Sequence, residues 1–257
     1  MRCTKPVKYA PERLKMLINQ LEVEYKKDCS SSEINKLKQF LKKLKNLDEK
    51  LIIIFHLTFF DKFEILDKYS QFFISLLKDK DKDIETIIND IFSNYNYGNH
   101  RKFCEKSYDY YKKSLDDFLN SLPILLMKIS YNESFESMYY FLINNISSFG
   151  RTSCWDFLER IDRTISNGKL CPTQMYLTNA TGPKKGVYYF FNVTSNDELK
   201  TRLMNKPIKS NLSYLDDAGG QIHNIILNSN IDEKIKNDTF LIYKLEDALC
   251  NFQKGRF

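Results

Sequence analysis

Phe141-Leu142-Ile143-Asn144-Asn145-Ile146-Ser147-Ser148-Phe149-Gly150-Arg151-Thr152-Ser153-Cys154-Trp155 is the stretch on which the reading of this 257-residue chain turns. Apolar residues at helical spacing stop at Asn145, and a small polar turn follows with Ser147, Ser148 and Gly150. A second helix then starts near Thr152, with Trp155, Leu158 and Ile161 on one face. The pattern reads as a helix-hairpin-helix, in which a tight turn offers backbone N–H groups and a helix N-terminus to a phosphate. Glycine at 150 suits such a turn because a side chain there would obstruct close backbone approach. Ser147, Ser148, Phe149 and Gly150 are therefore the candidate DNA-contacting residues, although a plain corner between two helices has the same local pattern.

Upstream of this hairpin the chain reads as helix after helix. Pro11 suits a first helical position, and Leu14, Leu17, Ile18, Leu21 and Tyr25 then recur on one face, predicting a helix over 11–27. Ser30 and Glu33 form a capping box ahead of Ile34, Leu37, Phe40, Leu41, Leu44 and Leu47, all within one predicted helix. Lys36, Lys38, Lys42, Lys43, Lys45 and Lys50 line its opposite side, either as a DNA-backbone or partner-facing surface or as an ordinary solvated face. Leu51 to Phe60 and Phe63 to Leu77 are too continuously apolar for surface helices and are expected at the centre of the core, with His56 as a hydrogen-bonded core histidine. Residues 78–83 alternate Lys and Asp and read as a solvated connection, followed by helices over 84–92 and 108–119 with a loop over 93–100 between them.

Downstream, Val187 to Phe191 fits a short strand or a buried helix equally well, and helices are expected over 198–204, 220–227 and 238–252. The fold class is mostly α, with a possible short β element near 187–191. The predicted organisation is an N-terminal helical lobe over 1–100 and a hairpin-containing region over 101–257, in one compact unit.

Composition narrows the function classes. The chain has 42% hydrophobic and 28% charged residues with only 8 Gly and 6 Pro, which excludes collagen-like and disordered chains. The longest apolar run, Leu51 to Phe60, is half of what a membrane span requires, and no export signal is recognisable at the start, so an intracellular setting (cytoplasmic, or nuclear in a eukaryote) is expected. Six scattered cysteines show neither zinc nor iron–sulfur spacing and are expected as thiols. The excess of 39 Lys+Arg over 33 Asp+Glu, a net +6, permits nucleic-acid binding without demanding it.

Two further segments carry possible chemistry. Leu177-Thr178-Asn179-Ala180-Thr181-Gly182-Pro183-Lys184-Lys185-Gly186 reads as a small polar turn bounded by glycines, suited to phosphate oxygens through N–H groups and the two lysines. It lacks the spacing of an ATP-binding P-loop. In Lys244 to Phe257, Glu246, Cys250 and Gln253 or Lys254 share one helix face, which by spacing alone is most simply a solvated one.

These three segments together resemble the α-glutamyl/putrescinyl thymine pyrophosphorylase family, the amino acid:DNA transferases of hypermodified phage DNA. The family pattern G-R-x-S-x-x-x-Y-L-E is similar to Gly150-Arg151-Thr152-Ser153-Cys154-Trp155-Asp156-Phe157-Leu158-Glu159. Its D-x-[ST]-G segment is similar to Asn179-Ala180-Thr181-Gly182, with Asn179 where the pattern is acidic. Its L-E-[ST/D]-A-L-C-x-[FY]-[KQ] segment is similar to Leu245 through Gln253, and the resemblance spans residues 141–257. It implies a helix-hairpin-helix DNA-glycosylase-like fold, and a reaction in which a phosphorylated 5-hydroxymethylpyrimidine in DNA loses pyrophosphate to an attacking amino acid or polyamine. A pyrophosphate leaving group needs cations and donors where its charge grows, a role open to Arg151, Thr181, Gly182, Lys184 and Lys185. The ammonium nucleophile must lose a proton, with Glu246 the expected general base, Asp216 or Asp217 next in line, and Asn179 a third catalytic candidate. The base must leave the stack to be reached. Partners are then DNA and a small amine with no membrane, and neither a metal site nor a cofactor is expected, Mg²⁺ being left open. The alternatives are a base-excising DNA glycosylase and a catalytically silent DNA-binding protein.

Overall fold

The computed structural model describes residues 9–29, 33–80, 82–95, 107–203 and 213–254. Every regular element among them is helical: α1 (Pro11–Cys29), α2 (Glu33–Leu41), α3 (Leu47–Phe60), α4 (Phe63–Ser75), α5 (Glu85–Asn94), α6 (Tyr108–Ser130), α7 (Phe135–Asn145) and α8 (Arg151–Ile161), then α9 (Gly182–Phe191), α10 (Asn196–Leu203), α11 (Tyr214–Leu227), α12 (Glu233–Lys236) and α13 (Leu241–Phe252). A π turn over Asp162–Ser166 continues α8, and a 3₁₀ turn over Leu177–Asn179 precedes α9. None of the described helices is long and apolar enough to cross a membrane. The chain divides into one unit of Ser32–Cys171 and a second of Met1–Ser31 with Pro172–Phe257. The boundary expected near residue 100 lies outside the described residues.

In the Ser32–Cys171 unit, α3 is the central element, and every residue from Leu51 to Phe60 is buried. Asn46 starts it through a reciprocal cap, its backbone N–H and side-chain amide donating to Glu49 at 3.3 Å each. Asp61 ends it in the left-handed region (φ 51°), its N–H donating to the Leu57 carbonyl. Phe55 stacks on Phe118 (4.4 Å between centroids) and on Phe149 (5.9 Å), so α3, α6 and the turn before α8 share one aromatic cluster. His56 is the expected core histidine. Its Nδ1–H donates to the Ile52 carbonyl (2.7 Å), its Nε2 accepts from the Tyr111 hydroxyl (2.6 Å), and burial pushes its pKa down to about 3.

Two expectations for this unit are corrected. The lysine-bearing helix does not run from Glu33 to Leu47: α2 stops at Leu41, residues 42 and 43 form a turn, 44 and 45 are irregular, and Asn46 is already the cap of α3. Lys36 and Lys38 therefore lie on α2, Lys42, Lys43 and Lys45 on the connection, and Lys50 on α3. Also, α6 continues past Leu119 to Ser130, straight through Pro123. The ring is exposed, while Leu122 and Leu125 are buried, so the packing of their face outweighs the lost N–H.

In the second unit, α13 packs against both α1 and α9. Lys244 on α13 is buried, pairing with Asp28 (3.2 Å) and Asp238 beside the Tyr25 ring (4.6 Å), and Asn251 donates to Glu24 at 3.0 Å. On the other side, α9 crosses α13 at two glycines. A Cβ on Gly186 would lie 2.7 Å from the Leu249 carbonyl carbon and 3.0 Å from its Cα, and one on Gly182 would overlap the Cys250 thiol. Glycine recurs here at i and i+4, one face of a helix, which lets two backbones meet. Val187–Phe191 is thus the C-terminal part of α9, with Val187, Phe190 and Phe191 buried, resolving the strand-or-helix alternative as helix. The last helix begins at Leu241, not Asp238, because Asp238 caps the turn before it by accepting from the Phe240 N–H (2.8 Å).

Candidate functional site

The α7–α8 turn is built from its anchors. Ile146 and Phe149 are buried and fix both sides of the turn. The left-handed residue between them is Ser148 (φ 72°), whose hydroxyl accepts from Ser114 at 2.7 Å. Gly150 instead has ordinary extended geometry (φ −83°, ψ −174°) as the N-cap of α8, and a Cβ there would meet nothing among the described residues. Its smallness therefore serves no contact within this unit. The Ser147 N–H, one of the expected phosphate donors, is held by the Asp117 carboxylate at 2.9 Å. Donors of the first turn of α8 are the ones a helix leaves without an intrahelical acceptor.

Charge is concentrated on α8. Arg151, its first residue, is 6% exposed and lies with its guanidinium 4.7 Å from the Trp155 ring centroid. Asp156, Glu159 and Arg163 follow at i, i+3 and i+7, one face carried from α8 into the π turn. Glu159 accepts from Arg163 at 2.9 Å, and burial, reinforced by Asp156, holds its carboxyl above the usual range against the pull of Arg163. The Cys154 thiol is likewise pushed up, by burial first and Asp156 second. Arg160 points elsewhere, to Thr58 (3.0 Å) and Asp61 (2.9 Å), and ties α8 to the end of α3. Asp162 is fully buried and accepts from the Leu170 N–H at 2.8 Å, closing the π turn. Asp156, Glu159 and Arg163 are not among the candidate site residues that the sequence singles out. The spacing was visible, but interspersed charge on a helix ordinarily means solvent.

The second unit holds the remaining candidates. The segment read as a glycine-bounded phosphate turn is instead the 3₁₀ turn followed at once by α9, and Gly182 through Gly186 is helical. Its glycines meet α13, as described above. Thr181 and Lys185 are exposed, and Lys184 is half-buried with its ammonium 5.8 Å from the Tyr188 ring. Pro183 has no N–H, and the Lys185 N–H turns back to the Thr181 carbonyl (3.4 Å). Asn179 is exposed at the end of the 3₁₀ turn.

That turn is held by Asp216, whose carboxylate accepts from the Leu177 N–H, the Thr178 hydroxyl (2.7 Å) and the Ser213 hydroxyl (2.6 Å). Asp216 is a scaffold residue in this arrangement. Asp217, 2% exposed, accepts from Gln221 at 2.7 Å.

Glu246 is 5% exposed, so the solvated-face reading of α13 is overturned there. The face is also shorter than its spacing suggested. Gln253 and Lys254 lie beyond the end of α13 and donate back to the Cys250 carbonyl (3.2 Å) and to Asn251 (3.4 Å). Arg151 belongs to the Ser32–Cys171 unit, and Asn179, Thr181, Gly182, Lys184, Lys185 and Glu246 belong to the other. Among the described residues no group of three or more His, Cys, Asp or Glu is arranged to hold a metal ion.

The described residues define a mostly helical protein with buried ionisable side chains on α8, α11 and α13. Its family is identifiable: the chain belongs to the amino acid:DNA transferases, whose pattern matches residues 29–257. The match covers α2 through α13, well beyond the three segments whose motifs carried the resemblance. No curated protein and no protein of solved structure matches the chain. Membership implies transfer of an amino acid to DNA as part of DNA modification, with DNA and an amino acid as partners.

Proposed function

We propose that this protein installs an amine, from an amino acid or a polyamine, on the 5-methylene carbon of a phosphorylated 5-hydroxymethylpyrimidine in DNA. The C–N bond forms as the C–O bond breaks, pyrophosphate leaves with the bonding electrons, and the ammonium proton passes to a carboxylate. Arg151 supports this reading best: it is a buried cation at the first residue of α8, in the segment most like the family's G-R-x-S pattern. A fixed guanidinium opposes growing charge on a leaving group without reorganising. Thr181, Lys184 and Lys185 at the start of α9 serve phosphate oxygens, and Gly150 with the first turn of α8 approaches the DNA backbone, Ser147, Ser148 and Phe149 being engaged by Asp117, Ser114 and the core. The proton acceptor is a buried carboxylate. Glu246 on α13 is our first assignment, and Glu159 on α8, whose pKa is already raised, is the second.

The test is direct. The protein is incubated with DNA carrying 5-(pyrophosphoryloxymethyl)uracil and a pool of amines, and the digested nucleosides are analysed by mass spectrometry. An aminated nucleoside with release of pyrophosphate supports the proposal. A free base with an abasic site would make the protein a glycosylase, and unchanged DNA that is nevertheless bound would make it a silent DNA-binding protein.

A further inference from the structure

The connection between α2 and α3 has a charge pattern that the proposed chemistry does not use. Between Ile34 and Leu47 stand five lysines and not one Asp or Glu. Leu37 and Leu41 are fully or almost fully buried and fix which way α2 faces. Lys36, Lys42, Lys43 and Lys45 are exposed, and so are Asn35 just before them and Gln39 between them. Apart from Glu33 at the first residue of α2, the exposed side chains on this face are cations or amides able to donate. The backbone that carries them is ordered, with the Lys42, Lys43 and Leu44 N–H groups donating to Lys38, Phe40 and Leu41 at 3.1 to 3.2 Å.

Fold geometry extends the surface beyond its own sequence. α2 packs against the π turn, and Lys38 donates to Asn167 at 3.3 Å, two residues from the exposed Lys169. Exposed segments such as α10 and residues 78–83 mix both signs. On α10, Lys200 pairs with Asp197 at 3.2 Å, and residues 78–83 alternate Lys with Asp. An ordinary solvated face has such neutralising neighbours. Segregation of one sign on an ordered element raises the local potential and attracts a polyanion.

We infer that Lys36, Lys42, Lys43 and Lys45, bordered by Lys38 and Lys169, form a docking surface for the phosphate backbone of duplex DNA away from the reacting base. This rests on the reading that DNA is the substrate, and it assigns the sequence-independent part of that affinity to α2 rather than to the α7–α8 turn alone. Counterion release makes the contribution measurable, since each lysine–phosphate contact adds about 0.9 to the slope of log K against log salt.

The experiment is fluorescence anisotropy of a labelled duplex across a salt series. It compares the full chain with a quadruple Lys36→Gln, Lys42→Gln, Lys43→Gln, Lys45→Gln variant and with the matching quadruple Lys→Arg variant, each checked for helicity by circular dichroism. The Gln variant should lose between about 2 and 4 from the slope and bind at least tenfold more weakly at moderate salt, while the Arg variant keeps both. Two results would overturn the surface while DNA stands as substrate: an unchanged slope in the Gln variant, or an equal loss in the Arg variant. If the wild-type chain has no affinity for DNA at any salt, the surface and the proposed function fall together.

Discussion

Replacing Gly186 by alanine separates two explanations for the glycines of the 182–186 segment. If they permit close approach to a phosphate, Gly186→Ala should impair turnover and leave the fold as stable as before. The structure gives them another task. Alanine in a helix interior is favoured over glycine by about 1 kcal/mol, so with open space around it the substitution would stabilise α9. Space is absent: the new Cβ would lie 2.7 Å from the Leu249 carbonyl carbon, and that obstacle is helix backbone, which cannot rotate aside. Overpacking of this kind costs about 1–3 kcal/mol and occasionally more. Taking the top of that range, the net loss is about 2 kcal/mol, or about 4–8 °C in Tm for a chain of this size. Gly182→Ala should be milder, because its obstacle is the Cys250 thiol at the end of a side chain. Gly150→Ala meets nothing and loses only the capping preference of glycine over alanine, about 0.5–1 kcal/mol. Urea denaturation followed by circular dichroism orders the three. A Gly186→Ala protein as stable as wild type, or more so, would refute the close crossing of α9 and α13.

Other substitutions probe the charged and polar positions. His56 has a depressed pKa in the folded state, so at this site the unfolded chain binds more protons between about pH 3 and 6.5; the site should raise stability with pH across that window by up to about 1.4 kcal/mol per unit, in the same direction as His223 and against the raised carboxyl of Glu159, and His56→Gln compared with wild type should remove the His56 share of the slope. Glu159→Gln, if Glu159 takes the amine proton, should reduce turnover by about 10²–10⁴-fold and abolish the activity rise through its raised carboxyl pKa; the same substitution at Glu246 is the comparison, and whichever variant keeps full turnover is excluded as the base. Arg151→Lys should lose much of the activity at unchanged DNA affinity, because a point charge does not reproduce a planar fork, and steady-state kinetics against binding separates the two effects. Asp216→Asn, which loses acceptor capacity toward Leu177, Thr178 and Ser213, should destabilise the 3₁₀ turn by about 1–3 kcal/mol, seen as faster hydrogen exchange at the Leu177 amide.

What was legible in the sequence followed from periodicity and from apolar content. The helical class, the start of α1, the end of α7 and the buried run of α3 with its histidine were legible in this way. What misled was punctuation. The helix expected over 108–119 stops short of α6, which runs through Pro123 to Ser130, because helix ends are decided by whether a following apolar face finds a partner, and Leu122 and Leu125 do. Glycines four apart read as a turn because glycine alone does not distinguish a left-handed bend from a helix stripped for contact; only the partner backbone at Leu249 does. The same ambiguity governs charge. Lys36, Lys42, Lys43 and Lys45 do face solvent, whereas Glu159, Arg160, Lys244 and Glu246 sit on helices of similarly mixed composition and are largely buried. Spacing fixes which residues share a face, and packing against elements distant in sequence fixes whether that face is wet. A buried ionisable group is expensive to desolvate and must be paired or perturbed, so the positions least predictable from one sequence are also the ones where perturbed acid–base chemistry collects.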